Sequence, residues 1–229
     1  MKRSEINQVM READAFIKHH QFHLPPFAYW TPDDWQQKGL EVAEIVDSML
    51  GWDITDFGQG RYDEFGLFLF TIRNGNLADL EAGRGKIYAE KLLISDVDQV
   101  TPFHYHWDKT EDIINRGGGK LAIQLYNSTP DGGLDETDVV VSMDGVQYTF
   151  PPGHTVMLTP GESITLPTGL YHKFWGVEGR VLVGEVSMVN DDNTDNRFLD
   201  SIGRFPAIEE DEPPIHLLVG DYRNYWGKS

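Results

Sequence analysis

Two stretches of the chain, residues 101–118 and 161–172, contain the side chains best suited to metal chemistry. The first has two histidines at positions i and i+2 followed by a glutamate, and the second ends in a histidine. Side chains at i and i+2 on a strand point to the same face of a sheet. Imidazoles and a carboxylate suit a divalent transition metal, and a further imidazole can arrive from a distant strand. The pattern predicts a metal site with four ligands: His104, His106, Glu111 and His172.

Histidines with this spacing also occur as ordinary half-buried strand residues. The glycines and the proline around them help to distinguish a metal site from that alternative. The glycine run 117–119 follows Glu111 and suits a tight turn that requires positive φ. The second stretch reads G-x5-P-x-G-x2-H. The two patterns resemble the two motifs of the cupin superfamily. Asp98 stands where the first motif has its leading glycine, and Gly176 stands where an asparagine usually follows the second.

Length and composition indicate a globular protein. The 229 residues allow one or two domains, and 40% of them are apolar. No apolar run approaches the roughly 20 residues that span a bilayer, and the N-terminus lacks the apolar segment of a secretory signal. The absence of cysteine excludes disulfides and thiolate ligands and fits a cytoplasmic protein. A net charge of −18 argues against nucleic acid and membrane partners, and favours an unphosphorylated small molecule.

Helices are predicted at the N-terminus and strands in the middle of the chain. Apolar residues at helical spacing predict helices over 4–22 and 31–48. His19, His20 and His23 at the end of the first suit the helix dipole better than a second metal site. Period-two apolar runs separated by turn signals predict a ladder of strands. These strands are 65–73, 88–94, 99–107, 120–126, 139–142, 146–150, 154–158, 163–166, 172–176 and 180–189.

Strands at this spacing predict a mainly β protein, and a jelly roll is one way to close such a sheet. We expect a single domain over residues 1–229, with a helical N-terminal extension (1–54), a β-barrel core (55–190) and a C-terminal loop and tail (191–229). We predict that the polar residues 190–200 form a loop over the barrel mouth that enters a short helix. We also predict a turn at residues 178–179 and a solvated surface for the acidic residues 208–214.

A closer resemblance extends over nearly the whole chain. The segments HxHW-x-K-x-EDIINRGGG and GEVSMVNDDNTDNRFLD, with MKRSEIN and RFPAIEEDEPP near the two ends, resemble the cupin-type D-lyxose isomerases. That resemblance implies a cupin jelly-roll β-barrel with the N-terminal helices packed outside, a homodimer, and Mn²⁺ held by the four ligands named above. It also implies interconversion of D-lyxose with D-xylulose, and of D-mannose with D-fructose, through a metal-stabilised cis-enediol. Donor softness alone leaves Zn, Co, Fe and Ni open.

Isomerising an aldose requires a metal that polarises the carbonyl and a side chain that moves a proton between C2 and C1. Lys109 must lie near an ion that His106 and Glu111 both bind, and a nearby cation lowers the pKa of a lysine. Glu185 interrupts an apolar strand, where a carboxylate is costly to bury unless it faces a polar cavity. We therefore predict Lys109 and Glu185 as catalytic, although a lysine in a turn is also commonly just solvated.

Further candidates for sugar contacts carry polar or aromatic groups near the two stretches. Without a role in sugar binding, the acidic residues would be turn and capping residues, and the aromatic residues would belong to the core. The candidates are Lys91, Glu90, Asp191, Asp192, Asp195, Arg197, Trp107 and Phe174, with Tyr105 as a further aromatic. Three other functions stay open at this point: a cupin Fe(II) oxygenase, a non-catalytic sugar-binding cupin and a phosphosugar isomerase. The last needs clustered Lys or Arg, and the two motifs supply only Lys109 and Arg116.

Overall fold

The computed structural model describes residues 1–227 as an antiparallel β fold with short helices around it. The strands are β1 Gly51–Thr55, β2 Leu67–Arg73, β3 Tyr88–Ser95, β4 Thr101–His106, β5 Glu111–Ser128, β6 Leu134–Asp135, β7 Val139–Met143, β8 Val146–Phe150, β9 Thr155–Leu158, β10 Ser163–Leu166, β11 Tyr171–Met188 and β12 Asn196–Phe198. The α-helices are α1 Arg3–His19, α2 Pro32–Gln36, α3 Ala43–Asp47, α4 Leu77–Glu81 and α5 Tyr222–Tyr225, and 3₁₀ turns cover Pro26–Tyr29 and Leu40–Val42. Within this described part, none of the helices combines the length and apolar character needed to cross a membrane.

The two longest strands, β5 and β11, organise the sheet. They pair with each other over most of their length, and the sheet runs in the order β1-β2-β3-β11-β5-β10-β7-β8. Strand β4 pairs with the first part of β11 and with β12, and β9 pairs with β5. The prediction of a mainly β chain with N-terminal helices is therefore confirmed.

Two apolar cores lie on opposite faces of the sheet, and β2 contributes to both. Leu67 and Leu69 face the inner core, whereas Phe68 and Phe70 face an outer core that α1 covers. Because side chains alternate along a strand, a strand buried on both faces reads as an unbroken apolar run. The α1 residues at helical spacing, Ile6, Met10, Ala13 and Ile17, are buried in that outer core. The helix thus packs against the outside of the sheet.

The predicted helix over residues 31–48 is wrong as one element. It is two short helices, α2 and α3, separated by residues 37–39 and the 3₁₀ turn Leu40–Val42. Gly39 has an extended backbone (φ −96°, ψ −150°), which ends the helical geometry before Leu40. Helix α1 ends at His19, three residues before the predicted end at residue 22.

The turns predicted at residues 117–119 and 178–179 are also wrong, because the two segments lie inside β5 and β11. The positive φ predicted with the first turn is confirmed at Gly117 and Gly118. The pairing of the two strands shifts register between Val177 and Val181, as at a β-bulge. A Cβ on Gly119 would lie 2.4 Å from the carbonyl oxygen of Gly179. The glycines are therefore needed for close approach of two strands and for the bulge, which keeps the strands continuous.

Two predictions about the C-terminal part are corrected as well. Residues 190–200 contain the short strand β12, paired with β4, instead of a helix. The acidic residues of the tail bind the start of α1 instead of facing only solvent. Glu210 accepts hydrogen bonds from the guanidinium of Arg3, and Asp211 accepts them from Ser4.

Candidate active site

Three of the predicted ligands, His104, His106 and His172, converge where β4 meets β11. His104 and His172 are directly opposite each other in the pairing of these strands, and His106 follows two residues later on the same face. One nitrogen from each ring lies within 4.8 Å of the others. All three side chains are buried. Within residues 1–227 this is the one group of His, Asp and Glu side chains arranged closely enough to hold a metal ion.

Backbone carbonyls orient all three imidazole rings. The Nδ1 partners are the carbonyl of Pro102 for His104 (2.8 Å), that of Asp195 for His106 (3.0 Å) and that of Leu170 for His172 (3.0 Å). A carbonyl only accepts hydrogen bonds, so each Nδ1 carries a proton, and in a neutral ring Nε2 then presents a lone pair. Hydrogen bonds of this kind fix the tautomer and direction of metal-binding histidines.

Glu111, the first residue of β5, brings a carboxylate to the same place. Its Oε1 lies 3.5 Å from Nε2 of His106 and 3.3 Å from Nε2 of His172. Burial and the neighbouring histidines hold the pKa of His104 well below its usual value. Burial alone raises the pKa of Glu111, but Lys109 and His106 outweigh it and keep that pKa well below normal. Neutral imidazoles and an ionised carboxylate are the protonation states that metal binding requires.

The donor set fits a divalent ion. The Nε2 atom of His172 is buried and has no hydrogen-bond partner within the described residues 1–227. An unpaired buried polar atom costs free energy unless a ligand satisfies it. Three imidazole nitrogens and one carboxylate oxygen are ligands that suit Mn, Fe, Co, Ni or Zn.

Lys109 and Glu185 are in direct contact beside the histidines. Nζ of Lys109 lies 2.6 Å from Oε1 of Glu185 and 2.7 Å from Oε2 of Glu111. Burial favours the neutral amine, but these two carboxylates outweigh it and raise the pKa of Lys109. The lowering of this pKa that we expect from a bound metal cation stays a prediction. In the protein itself Lys109 is a cation that donates hydrogen bonds.

A chain of ionic contacts continues from Glu185 across the cavity. Nζ of Lys91, opposite Glu185 in the pairing of β3 with β11, lies 3.4 Å from Glu185 and 3.0 Å from Oδ1 of Asp192. Arg204 follows, 3.8 Å from Asp192 and 2.5 Å from Asp53. Burial raises the pKa of Asp192, but Lys91 and Arg204 outweigh it and lower that pKa. Positively and negatively charged side chains therefore alternate along this series of ionic contacts.

One cavity is lined by apolar side chains, by His104 and His106, and by six of the charged groups: Glu111, Lys109, Glu185, Lys91, Asp192 and Arg204. Of the predicted sugar contacts, it includes Lys91, Asp192 and Phe174. Phe174 is buried and lies near the ring of His104, with centroids 6.5 Å apart. The other residues that line the cavity are Phe57, Leu67, Leu69, Leu93, Thr101, Ile113, Asn196 and Phe198.

The remaining predicted contacts do not line this cavity. Glu90 pairs with Arg73, since alternation places it on the opposite face of β3 from Lys91. Arg197 alternates with Asn196 and Phe198 on β12 and lies beside Gly132 and Tyr171 instead.

Three further predicted contacts, and the aromatic Tyr105, also have other surroundings. Trp107 is 55% exposed and packs edge-on against Tyr105. Asp191 accepts hydrogen bonds from Asn193. Asp195 supports the site indirectly, because its backbone carbonyl oxygen accepts a hydrogen bond from Nδ1 of His106.

The sequence analysis missed two charged residues: Arg204, which lines the cavity, and Asp53, which binds Arg204. Asp53 lies in β1, a strand in which every residue is buried. The cost of burying a carboxylate in an apolar strand, which pointed to Glu185, also applies to Asp53. Arg204 lies in an irregular segment with no comparable local signal.

Comparisons with known proteins agree over nearly the full length. A sequence model of the D-lyxose isomerase family matches residues 1–222. The chain is 48% identical over 228 residues to a D-lyxose/D-mannose isomerase of Serratia proteamaculans, covering 98% of this chain and 99% of the relative. It is 46% identical over 230 residues to a D-lyxose/D-mannose isomerase of Escherichia coli O157:H7, covering 98% of this chain and all of the relative (100%).

Solved structures with a similar fold include L-ribose isomerases. One is from Geodermatophilus obscurus, with a TM-score of 0.61 and 18% identity, over 91% of this chain and 98% of that one. Another is from Cellulomonas parahominis with L-ribose, with a TM-score of 0.60 and 16% identity over the same shares, 91% and 98%. At these identities the likeness concerns the fold alone, and it confirms the predicted cupin-type barrel.

Proposed function

Because the chain belongs to the D-lyxose isomerase family and is an aldose–ketose isomerase, we propose that it interconverts D-lyxose with D-xylulose and D-mannose with D-fructose with the help of a bound divalent metal. The observation that carries this proposal is the buried histidine cluster, which lies next to the contact between Lys109 and Glu185. Relatives of nearly full length are named isomerases, so neither the oxygenase nor the non-catalytic alternative is retained.

His104, His106, Glu111 and His172 would hold the ion, which we propose to be Mn²⁺. When bound, a divalent ion polarises the sugar carbonyl and stabilises negative charge that develops on the neighbouring oxygens. The carbonyl partners of the three Nδ1 atoms keep the lone pairs of the rings directed to one point. The protein thereby prepares the ligands before the ion binds.

Glu185 is the group that we assign to proton transfer. Its carboxylate takes the proton from C2 of the aldose and returns it to C1. Lys109 donates a hydrogen bond to Oε1 of Glu185 at 2.6 Å, so the base is kept in place. An ammonium has three donors, and two of them face Glu185 and Glu111, which leaves the third for a sugar oxygen.

The charges of the cavity favour an unphosphorylated sugar. Four carboxylates and three cations form the ionic chain: Glu111, Glu185, Asp192 and Asp53 against Lys109, Lys91 and Arg204. The surplus negative charge suits a metal cation. Each of the three cations already faces a carboxylate, so the described residues of the cavity offer no cluster of unpaired Lys or Arg of the kind that a phosphosugar isomerase would need. Formation of a homodimer and a cytoplasmic location stay predictions.

Chelation tests the metal part of this proposal. Protein stripped of metal should lose conversion of D-lyxose to D-xylulose, and one equivalent of Mn²⁺ per chain should restore it. The His172→Gln variant should bind markedly less Mn²⁺ in a direct metal assay, whereas His154→Gln should bind the normal amount, because His154 is exposed in the turn before β9 and outside the cavity. Full activity in thoroughly stripped protein would remove the metal from the mechanism.

A further inference from the structure

Arg204 is a buried cation in the cavity whose hydrogen-bonding capacity is only partly used. One guanidinium nitrogen, Nη2, donates to Oδ2 of Asp53. The other, Nη1, is buried and has no hydrogen-bond partner within residues 1–227. A buried donor without a partner is costly, and a donor on a charged group is more so. Native structures keep such a donor when something outside the chain satisfies it.

Strand β1 fixes Arg204 at two points. Asp53 binds the side chain, and Thr55, two residues later on the same face, donates from Oγ1 to the carbonyl oxygen of Arg204 at 2.8 Å. Asp53 is only 5% exposed and Thr55 only 1%. A planar guanidinium held on one side by a carboxylate has its other donors aimed in a fixed direction. The irregular segment that contains Arg204 is thereby anchored to the rigid sheet.

The position of Arg204 along the ionic chain indicates what it can bind. The contacts run from the histidines through Lys109, Glu185, Lys91 and Asp192, and Arg204 is at their far end. An open-chain sugar whose C1 and C2 lie at the histidines and Glu185 extends its later hydroxyl groups toward the other end of the cavity. A hydroxyl oxygen is an acceptor that satisfies an unpaired guanidinium N–H.

We propose that Arg204 binds the substrate through a hydroxyl group beyond C2, and that Asp53 is the positioning residue that aims it. This inference rests on the proposed function, because it takes an aldose as the occupant of the cavity. Arg204 contributes to binding of the sugar rather than to the proton transfer at C2. Asp53 acts only through Arg204.

The test combines kinetics with a binding measurement that needs no turnover. In Arg204→Met, KM for D-lyxose should rise about 10- to 100-fold, as expected for loss of a hydrogen bond to a charged group, while kcat changes by less than about 3-fold. The affinity for the alditol of D-lyxose, measured by calorimetry, should fall by the same factor. Asp53→Asn should raise KM by less, and the double variant should match Arg204→Met, because Asp53 has no other role.

The control is Arg180→Met. Arg180 is also paired with an aspartate, Asp96, through two hydrogen bonds, but it is outside the cavity. It should leave KM and alditol affinity unchanged. Unchanged alditol affinity in a folded, metal-replete Arg204→Met protein would overturn the assignment of Arg204. Additive effects of the two substitutions would overturn the role of Asp53. Failure of the wild-type protein to convert D-lyxose would instead overturn the proposed function.

Discussion

Replacing Glu185 by Gln distinguishes the contribution of this side chain to catalysis from its contribution to the stability of the protein. The substitution keeps the shape of the side chain and removes the carboxylate that we assign to proton transfer. General-base catalysis contributes about 10²- to 10⁴-fold, so kcat for D-lyxose should fall by that factor. This corresponds to about 3–5 kcal/mol of transition-state stabilisation. The KM should change little, because the carboxylate acts on the reacting C–H bond.

The stability of the same variant should fall much less than burial alone suggests. Removing one partner of a buried ion pair costs about 3–5 kcal/mol when the other charge is left alone. Here each ammonium keeps a second carboxylate: Lys109 retains Glu111 at 2.7 Å, and Lys91 retains Asp192 at 3.0 Å. We therefore expect a loss below about 3 kcal/mol. For a chain of this size that is a fall in Tm of less than about 12 °C.

The measurement is steady-state kinetics with calorimetric melting and metal content on the same preparation. Glu178→Gln is the matched control, because Glu178 lies on the same strand, 63% exposed, paired with Lys120 at 2.8 Å. It should change neither kcat nor, beyond about 1 kcal/mol, stability. A Glu185→Gln protein with normal metal content and near wild-type kcat would refute the assignment. If that variant failed to fold, the claim that a second carboxylate keeps each lysine paired would be refuted.

Two further predictions concern the scaffold. Arg3→Met should lower Tm by about 6–12 °C at pH 7, since it leaves the carboxylate of Asp221 buried without its guanidinium and costs about 3 kcal/mol. The hydrogen bond from Arg3 lowers the folded-state pKa of Glu210 below 4.5, so its stabilisation is present above that pH and is lost as the pH falls further. The Tm difference between wild type and variant should therefore shrink below about pH 4 in thermal melts, and a constant difference would contradict the role of Glu210. Gly119→Ala should destabilise by at least about 2 kcal/mol in urea unfolding, since its Cβ would lie 2.4 Å from the carbonyl oxygen of Gly179. In Gly39→Ala the added Cβ meets a movable side-chain oxygen of Glu41 instead, so a similar loss in both variants would count against the backbone clash.

Where structure depends on local pattern, the sequence predicted it closely. The predicted strands 146–150 and 163–166 coincide with β8 and β10, because alternation and the flanking turns are both written in a few adjacent residues. The segments 117–119 and 178–179 failed as turn signals for a nonlocal reason. Each segment packs against the backbone of the other strand, so its conformation depends on a partner about sixty residues away in the sequence.

The candidate site shows the same division. The histidines share a face because of strand periodicity, and their meeting follows from one pairing, that of β4 with β11. Glu185 was found because a carboxylate in an apolar strand needs a polar partner, and that partner proves to be two lysines. The same rule, applied to the strand Gly51–Thr55, would have found Asp53.

Arg204 could not be predicted in this way, because nothing near it in the sequence places it at the cavity. Its position depends on contacts from elements far away in the chain: Asp53 and Thr55 of β1 bind it directly. A few residues later, Glu210 ties the same segment to Arg3 at the start of α1. An arginine in an irregular segment therefore becomes part of the site only once the first strand and the first helix are in place. We expect the N-terminal region to matter for binding of the sugar as well as for folding.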